Sequence, residues 1–305
     1  MSHLAILNRE EAEQVARDHF TPQLALLRDL ADYGSNLVVR AFNSSPKAMA
    51  DIVVCGVLLK QIVAMVDATE VLFAAGAGHA AFLPARAAFE ASIYLDWILA
   101  ANSERRATCY VVGNFRDERL WVAKVTPGTA EHAGYDQIMK SIGFDMQAQG
   151  PVLPTDAAAH LAEVNRILAQ PALQAIDQEF SKLRGKRKRD VEWYQLDGMA
   201  SIRQVSEAVG RLAQYEVFYS KGSQITHTGS YKHQIRFKSK EVRLLPVRHL
   251  ASTYDLLACI VTAAFAAYRG VLGRYRPDEL SAFSRKYTKD WRAPFQNAKT
   301  LKYDF

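Results

Sequence analysis

Apolar residues recur every three or four positions along most of the chain, which is the spacing of helices that bury one face. Residues 47–76 are apolar nearly all round, a pattern typical of a helix at the centre of a bundle. The other segments with helical periodicity are 9–42, 84–101, 103–125, 156–183, 199–227 and 247–273. The pattern predicts an all-α fold, a multi-helix bundle whose core helices occupy about 9–125 and 199–273.

Two stretches depart from this periodicity. Residues 126–198 contain scattered glycines and prolines and a basic segment, so we expect an irregular, basic insertion there. Ile235 and Phe237 alternate with polar residues, which permits one short β-hairpin near 234–245. Because no repeat, low-complexity tract or clear linker divides the chain, we interpret residues 1–305 as a single helical domain.

The bulk composition is typical of a soluble globular protein, with 49% hydrophobic and 23% charged residues. The three cysteines, Cys55, Cys109 and Cys259, lie far apart and form no CxxC pair. That usage favours a reducing compartment over a disulfide framework or a zinc site. The N-terminus has no signal-peptide pattern, and the uncharged run 256–268 is too short to span a bilayer. We therefore expect a cytoplasmic protein that does not associate with membranes.

A polar ladder, Tyr219-x-x-x-Ser223-x-x-x-His227, lies in the predicted helix 199–227. Its spacing of four puts the three side chains on one helix face. That face continues an apolar stripe formed by Ile202, Val205, Val209 and Leu212. A buried hydroxyl or imidazole without a hydrogen-bond partner costs free energy, so we expect another polar group to face the ladder.

The best candidate for that polar group is the pair Arg86 and Glu90, one turn apart in the predicted helix 84–101. Arg86 lies on an apolar stripe, so its guanidinium is expected to be partly buried and to need pairing. Its five N–H donors allow it to bridge a carboxylate and a second group. The pair marks either an internal polar site or a structural ion pair between two core helices.

His227 is the ladder residue best suited to general acid–base chemistry, because histidine ordinarily titrates near neutral pH. Ser223 and Tyr219 could orient a reacting group, and Lys221 adds a positive charge nearby. A serine hydrolase is not indicated, since the chain has no GxSxG motif. The alternative is a structural histidine that caps a helix or satisfies its neighbours.

The net charge is +6, and two basic segments flank the ladder. Six of the eight residues 182–189 are basic, among them Arg184, Lys186, Arg187, Lys188 and Arg189. The second segment follows His227 and includes Lys232 and Arg236. Such runs neutralise phosphates, so we expect RNA or another anionic ligand, the alternative being a solvated loop.

No metal ion or cofactor is predicted. The sequence contains no HExxH motif, no pair of ExxH motifs and no cluster of histidines and cysteines. Neither GxGxxG after a strand nor GxxxxGK[ST] occurs. Any chemistry at the ladder is therefore expected to be metal-independent.

The segments RAAFEASIYLDWIL and WYQLDGMASIRQVSEAVGRLAQYEVFYSKGSQITH together resemble a bacterial helical family of unknown function, DUF5677. Its members tend to show an R-x-x-x-E helix and a distant Y-x-x-x-S-x-x-x-H helix. This chain matches those motifs at Arg86, Glu90, Tyr219, Ser223 and His227, and the resemblance covers roughly residues 50–235. It implies that the two helices pair, but it implies no reaction.

The chain is also similar, more loosely, to the HEPN superfamily of helical bundles, which includes metal-independent ribonucleases of toxin and phage-defence systems. The HEPN signature is an arginine, often followed by a polar residue, then four to six residues and a histidine. Lys221-x5-His227 has that spacing with lysine in place of arginine, and Arg243-x5-His249 has it with Pro246 inside. The similarity implies a homodimer and a protein partner in a defence operon.

These residues support three hypotheses. In a HEPN-like, metal-independent endoribonuclease, His227 is the general acid or base, and Arg86 or Lys221 stabilises the charge on the phosphorane. In a non-catalytic sensor or partner-binding module, the same groups form a structural core network. In a small-molecule pocket, Arg86 holds a carboxylate or phosphate. Convergence of His227 and Arg86 on a solvent-reachable cleft rimmed by the basic segments favours the enzyme, whereas a sealed pair that satisfies its own hydrogen bonds favours the module.

Overall fold

The computed structural model describes residues 6–145, 156–187, 191–219, 225, 234–238, 241–301 and 303. Within these ranges the chain is predominantly helical. The helices are α1 (Arg9–Asn43), α2 (Met49–Ala74), α3 (Phe82–Ala100), α4 (Ser103–Val125), α5 (Ala130–Ser141), α6 (Ala157–Leu168), α7 (Pro171–Arg187), α8 (Ile202–Ala208), α9 (Leu212–Gln214), α10 (Thr253–Tyr275), α11 (Leu280–Lys286) and α12 (Arg292–Gln296). The predicted all-α fold class is confirmed.

The predicted β-hairpin is also confirmed. Strands β1 (Ile235–Lys238) and β2 (Glu241–Leu244) pair antiparallel, with Ile235 opposite Leu244 and Lys238 opposite Glu241. Within the described residues these two strands form the whole sheet. Alternation of apolar and polar residues therefore indicated the strands correctly, even in a mainly helical chain.

The chain divides into two compact units, one formed by Met1–Ser103 with Ile202–Phe305 and the other by Glu104–Ser201. The interpretation of residues 1–305 as a single domain stays a prediction. The predicted insertion, residues 126–198, lies within the second unit, and its described residues include the α-helices α5, α6 and α7. The helix predicted over 156–183 is two helices, because Pro171 begins α7 and cannot continue α6.

In the first unit, α1, α3 and α10 pack around α2. The nearly continuous apolar pattern of α2 predicted a central helix, yet Ile52, Val57 and Val71 are exposed. Its three neighbours cover only part of its circumference, so an apolar strip remains on the outside.

All three cysteine side chains are buried.

Two helices of the first unit, α2 and α10, are long and apolar enough to cross a membrane by length and composition alone. Half of the most apolar window of α2 and 61% of that of α10 are buried inside the protein. Core helices of soluble proteins pass the same test, since an all-round apolar helix can be buried by protein or by lipid. Cytoplasmic localisation and lack of membrane association stay predictions.

Helices α1 and α10 approach closely at Gly34. The hydroxyl of the fully buried Tyr268 donates a hydrogen bond to the Leu30 carbonyl oxygen at 2.9 Å. A Cβ atom on Gly34 would lie 2.6 Å from Tyr268 Cζ and 2.7 Å from Val63 Cγ2. The absence of a side chain at residue 34 therefore lets the tyrosine ring reach its acceptor.

We expect Gly34→Ala to lower the free energy of unfolding by about 1–3 kcal/mol, because the added methyl group overpacks the Tyr268 contact. The matched control is Gly273→Ala in α10, where a Cβ atom would meet nothing within 4 Å. There the higher helix propensity of alanine is expected to add about 0.5–1 kcal/mol of stability. Urea unfolding followed by circular dichroism measures both changes. Equal stability of the two variants would contradict the close approach.

The second unit is held together by arginines at the start of α4. Arg105 donates to Glu179 of α7 at 2.8 Å and to Asp197 at 3.2 Å. Arg106 also donates to Asp197, at 3.0 Å. These contacts connect α4 to α7 and to the 3₁₀ turn Trp193–Asp197.

Candidate polar site on helix α3

One face of α3 carries both apolar and polar side chains. Phe89 and Ser92 are buried, whereas Arg86, Glu90 and Asp96 are half-buried. The spacing of three and four residues places these groups along the same side of the helix. This face contacts α8 and the segment that follows it.

That segment is not the continuous helix predicted over 199–227. α8 ends at Ala208, and Gly210 adopts a φ of +71°, a conformation that glycine enters without steric cost and that commonly ends helices. The chain restarts at α9 and continues as a wider π turn, Tyr215–Tyr219. The break redirects the chain, so residues on either side of it do not share one helix face.

The break places Arg211 against α3. Its guanidinium donates to Asp96 Oδ2 at 2.7 Å, to Ser92 Oγ at 2.9 Å and to Gln214 Oε1 at 2.7 Å. The guanidinium carbon also lies 5.0 Å from the centre of the Phe89 ring. Only 8% of the Arg211 side chain is exposed, so this is a buried ion pair.

Burial raises the pKa of Asp96, and the charge and hydrogen bonds of Arg211 oppose that rise without cancelling it. Desolvation of the carboxylate therefore outweighs the attraction of its partner. An ion pair of this kind contributes little net stability but is costly to break on one side. We interpret the group formed by Arg211, Asp96 and Ser92, the Arg211 network, as structural.

Our sequence interpretation did not include the Arg211 network. The sequence contains two features of the network: Ser92 and Asp96 lie four residues apart on α3, and Arg211 directly follows a glycine. Nothing in that pattern indicates that Arg211, 115 residues further along the chain, meets Asp96.

The predicted pairing of α3 with the start of the ladder is present in the structure. The guanidinium carbon of Arg86 lies 4.3 Å from the centre of the Tyr219 ring. The Tyr215 ring stacks on Tyr219 with centres 4.6 Å apart and planes 18° from parallel. All three side chains are half-buried. We call this arrangement the Arg86 stack.

The surroundings of the Arg86 stack raise the pKa of Tyr215 above its ordinary value. Burial raises the pKa of Tyr215, and Tyr219 and Glu216 raise it further, while Arg203 and Arg86 act in the opposite direction. Glu90 accepts a hydrogen bond from the Tyr94 hydroxyl at 3.0 Å. The site thus combines a cation, a carboxylate and phenolic hydroxyls on one half-exposed surface.

The other residues predicted for the site are placed as follows. Lys221, Ser223 and His227 lie outside the described residues, so the lower part of the ladder stays a prediction. Arg184 is exposed on α7, and Arg236 is exposed on β1, where its Nη1 donates to the Tyr303 carbonyl oxygen at 3.2 Å. The remaining basic residues lie outside the described chain or have side chains outside it: Lys186, Arg187, Lys188, Arg189 and Lys232.

Comparison with known proteins gives one match. The model of a family of unknown function, DUF5677, matches residues 51–241, which is more than half of the chain. No curated protein and no solved structure matches. The matched region contains both α3 and the Arg86 stack.

Proposed function

The chain belongs to the DUF5677 family, whose function is unknown, and we propose that it is a HEPN-like, metal-independent endoribonuclease. The observation that carries this proposal is the Arg86 stack. It brings a half-exposed guanidinium next to Tyr219, the first residue of the ladder that ends at His227. A role as a toxin or phage-defence effector, acting as a homodimer with a partner encoded nearby, is part of the same proposal.

In the proposed reaction, a base takes the proton of a ribose 2′-hydroxyl, and the 2′ oxygen forms a bond to the adjacent phosphorus. The bond from phosphorus to the 5′ oxygen breaks, and that oxygen receives a proton. The products are a 2′,3′-cyclic phosphate and a 5′-hydroxyl. His227 serves as the general base that takes the 2′ proton or as the general acid that protonates the 5′ oxygen. Ser223 or Tyr219 orients the reacting group.

Arg86 suits the stabilisation of the extra negative charge on the phosphorane. A guanidinium that lies on an aromatic ring uses its face for that contact and directs its N–H donors outward along its edge. Partial burial strengthens its attraction for an anion without closing it off from solvent. Lys221 would add a second positive charge, without the bidentate geometry of arginine.

A second candidate function is a non-catalytic sensor or partner-binding module. The Arg211 network favours it, because a buried ion pair with a further hydrogen bond can specify packing without any chemistry. The two candidates involve different arginines, because Arg86 belongs to α3 whereas Arg211 precedes α9 and packs against α3. Arg211 is sealed, as the module requires, whereas Arg86 is half-exposed, as the enzyme requires.

The test is cleavage of a fluorescently labelled single-stranded RNA by the purified protein in EDTA. We expect the wild type to cleave and Arg86→Gln to cleave about 10²-fold more slowly, because one donor to the developing charge is lost. The control is Arg285→Gln, which removes an exposed arginine of the same unit and should cleave like the wild type. Equal rates for Arg86→Gln and the control would refute the role of Arg86. Lack of cleavage by the wild type would favour the module.

A further inference from the structure

The second unit contains a cluster of arginines that the proposed reaction does not use. Arg116 and Arg119 lie one turn apart on α4, and Ser181 and Arg184 lie one turn apart on α7. Together with Gly185 they line an open cleft of about 630 Å³. That volume is within the range of natural small-molecule sites and has room for a nucleotide-sized group.

The two arginines of α4 share one carboxylate. Arg116 is ion-paired with Asp177 Oδ1, and Arg119 donates to the same oxygen at 3.2 Å. The next acidic residue of α7, Glu179, pairs with Arg105 instead. Since Arg116 and Arg119 share the one Asp177 carboxylate, these two guanidinium groups carry one positive charge more than that partner neutralises.

The geometry of Arg116 is fixed before any ligand arrives. Its Nη1 donates to the Asp177 carbonyl oxygen at 3.1 Å and to Ser181 Oγ at 3.2 Å. Its guanidinium carbon lies 5.1 Å from the centre of the Phe180 ring. The Arg116 side chain is 14% exposed and that of Arg119 is 31% exposed. A held, partly desolvated guanidinium attracts an anion more strongly than a mobile surface one does.

We propose that this cleft binds phosphate groups of single-stranded RNA, an inference that rests on the proposed function because the RNA is its substrate. Planar guanidinium groups match the two oxygens of a phosphate. The exposed basic residues Lys182 and Arg184 continue the positive surface along α7. Single-stranded RNA, unlike a rigid duplex, can rotate one nucleotide so that it enters a cleft of this size.

The test is fluorescence anisotropy of a labelled single-stranded RNA, measured in the His227→Ala background so that nothing is cleaved. The variant is Arg119→Gln with Arg184→Gln, which leaves Arg116 and its packing on Phe180 intact. The control is Arg166→Gln with Arg285→Gln, two exposed arginines that are not among the residues lining the cleft. Both variants lose the same charge, so they differ only in where the charge is lost.

We expect the cleft variant to bind the RNA at least about tenfold more weakly than the control. For the cleft variant, the plot of log association constant against log salt concentration should be less steep by about 1.4. Each phosphate contact on a single strand contributes about 0.7 to the slope, and the variant loses two such contacts. Equal dissociation constants and slopes for the two double variants would overturn the proposal. Tighter binding of uridine monophosphate than of the RNA would also overturn the proposal, because the natural ligand of the cleft would then be a free nucleotide rather than an RNA strand.

This binding measurement is independent of cleavage. If the wild type binds RNA through the cleft but does not cleave it in EDTA, the cleft proposal holds and the nuclease proposal fails. If the wild type cleaves RNA while the cleft variant binds like the control, the nuclease proposal holds and the cleft proposal fails.

Discussion

Replacing Arg211 with alanine is expected to lower the free energy of unfolding by about 3 kcal/mol, because a buried partner loses its counter-charge. Asp96 would be left desolvated without the guanidinium that compensates it, and Ser92 would lose its donor. The packing of Arg211 on Phe89 would be lost as well. Urea unfolding followed by circular dichroism measures the change.

Two variants control for the Arg211 result. Arg203 pairs with Glu216, but both side chains are 52% exposed, so Arg203→Ala should change stability by at most about 1 kcal/mol. Arg211→Met combined with Asp96→Leu should recover much of the loss, because no charge is then buried alone. If Arg211→Ala and Arg203→Ala lose the same stability, the buried ion pair is not the structural element that we infer.

Replacing His227 with alanine is expected to reduce RNA cleavage in EDTA by about 10³-fold, the typical contribution of a positioned acid or base. The melting temperature should stay at the wild-type value, because the proposed role of His227 is chemical. Cleavage and thermal unfolding are measured on the same preparation. Unchanged cleavage would remove His227 from the mechanism, and a large loss of melting temperature would assign it to the core.

The two substitutions distinguish the two candidate functions. If the protein is an enzyme, the His227→Ala variant should lose activity and keep its stability. The Arg211→Ala variant should lose stability whether or not RNA is present. The module predicts that the ladder behaves like the Arg211 network, so that both substitutions lower the melting temperature and the wild type does not cleave. Arg86 belongs to α3 and Arg211 packs against α3 from the segment that follows α8, and the two differ in exposure, because Arg211 is buried and Arg86 is half-buried.

The helices were predictable from sequence because burial of one face imposes a periodic pattern on neighbouring residues. The same reasoning identified the β-hairpin from the alternation at Ile235 and Phe237. The pairing of Arg86 with Tyr219 was expected from the need of a buried polar group for a partner, together with the family motifs. The chain break at Gly210 was not expected, because a single glycine within a periodic segment is compatible with both a continuous and an interrupted helix.

The sequence by itself determined the all-α fold and the short hairpin, because these follow from interactions between residues close together in the chain. Only the tertiary structure decided that Arg211 meets Asp96 and that Arg116 meets Asp177. Helical spacing tells which side chains share a face, but it does not tell which two faces come together. That choice depends on the packing of the whole chain, and in this protein it places Arg211 in a buried ion pair and leaves Arg86 half-buried.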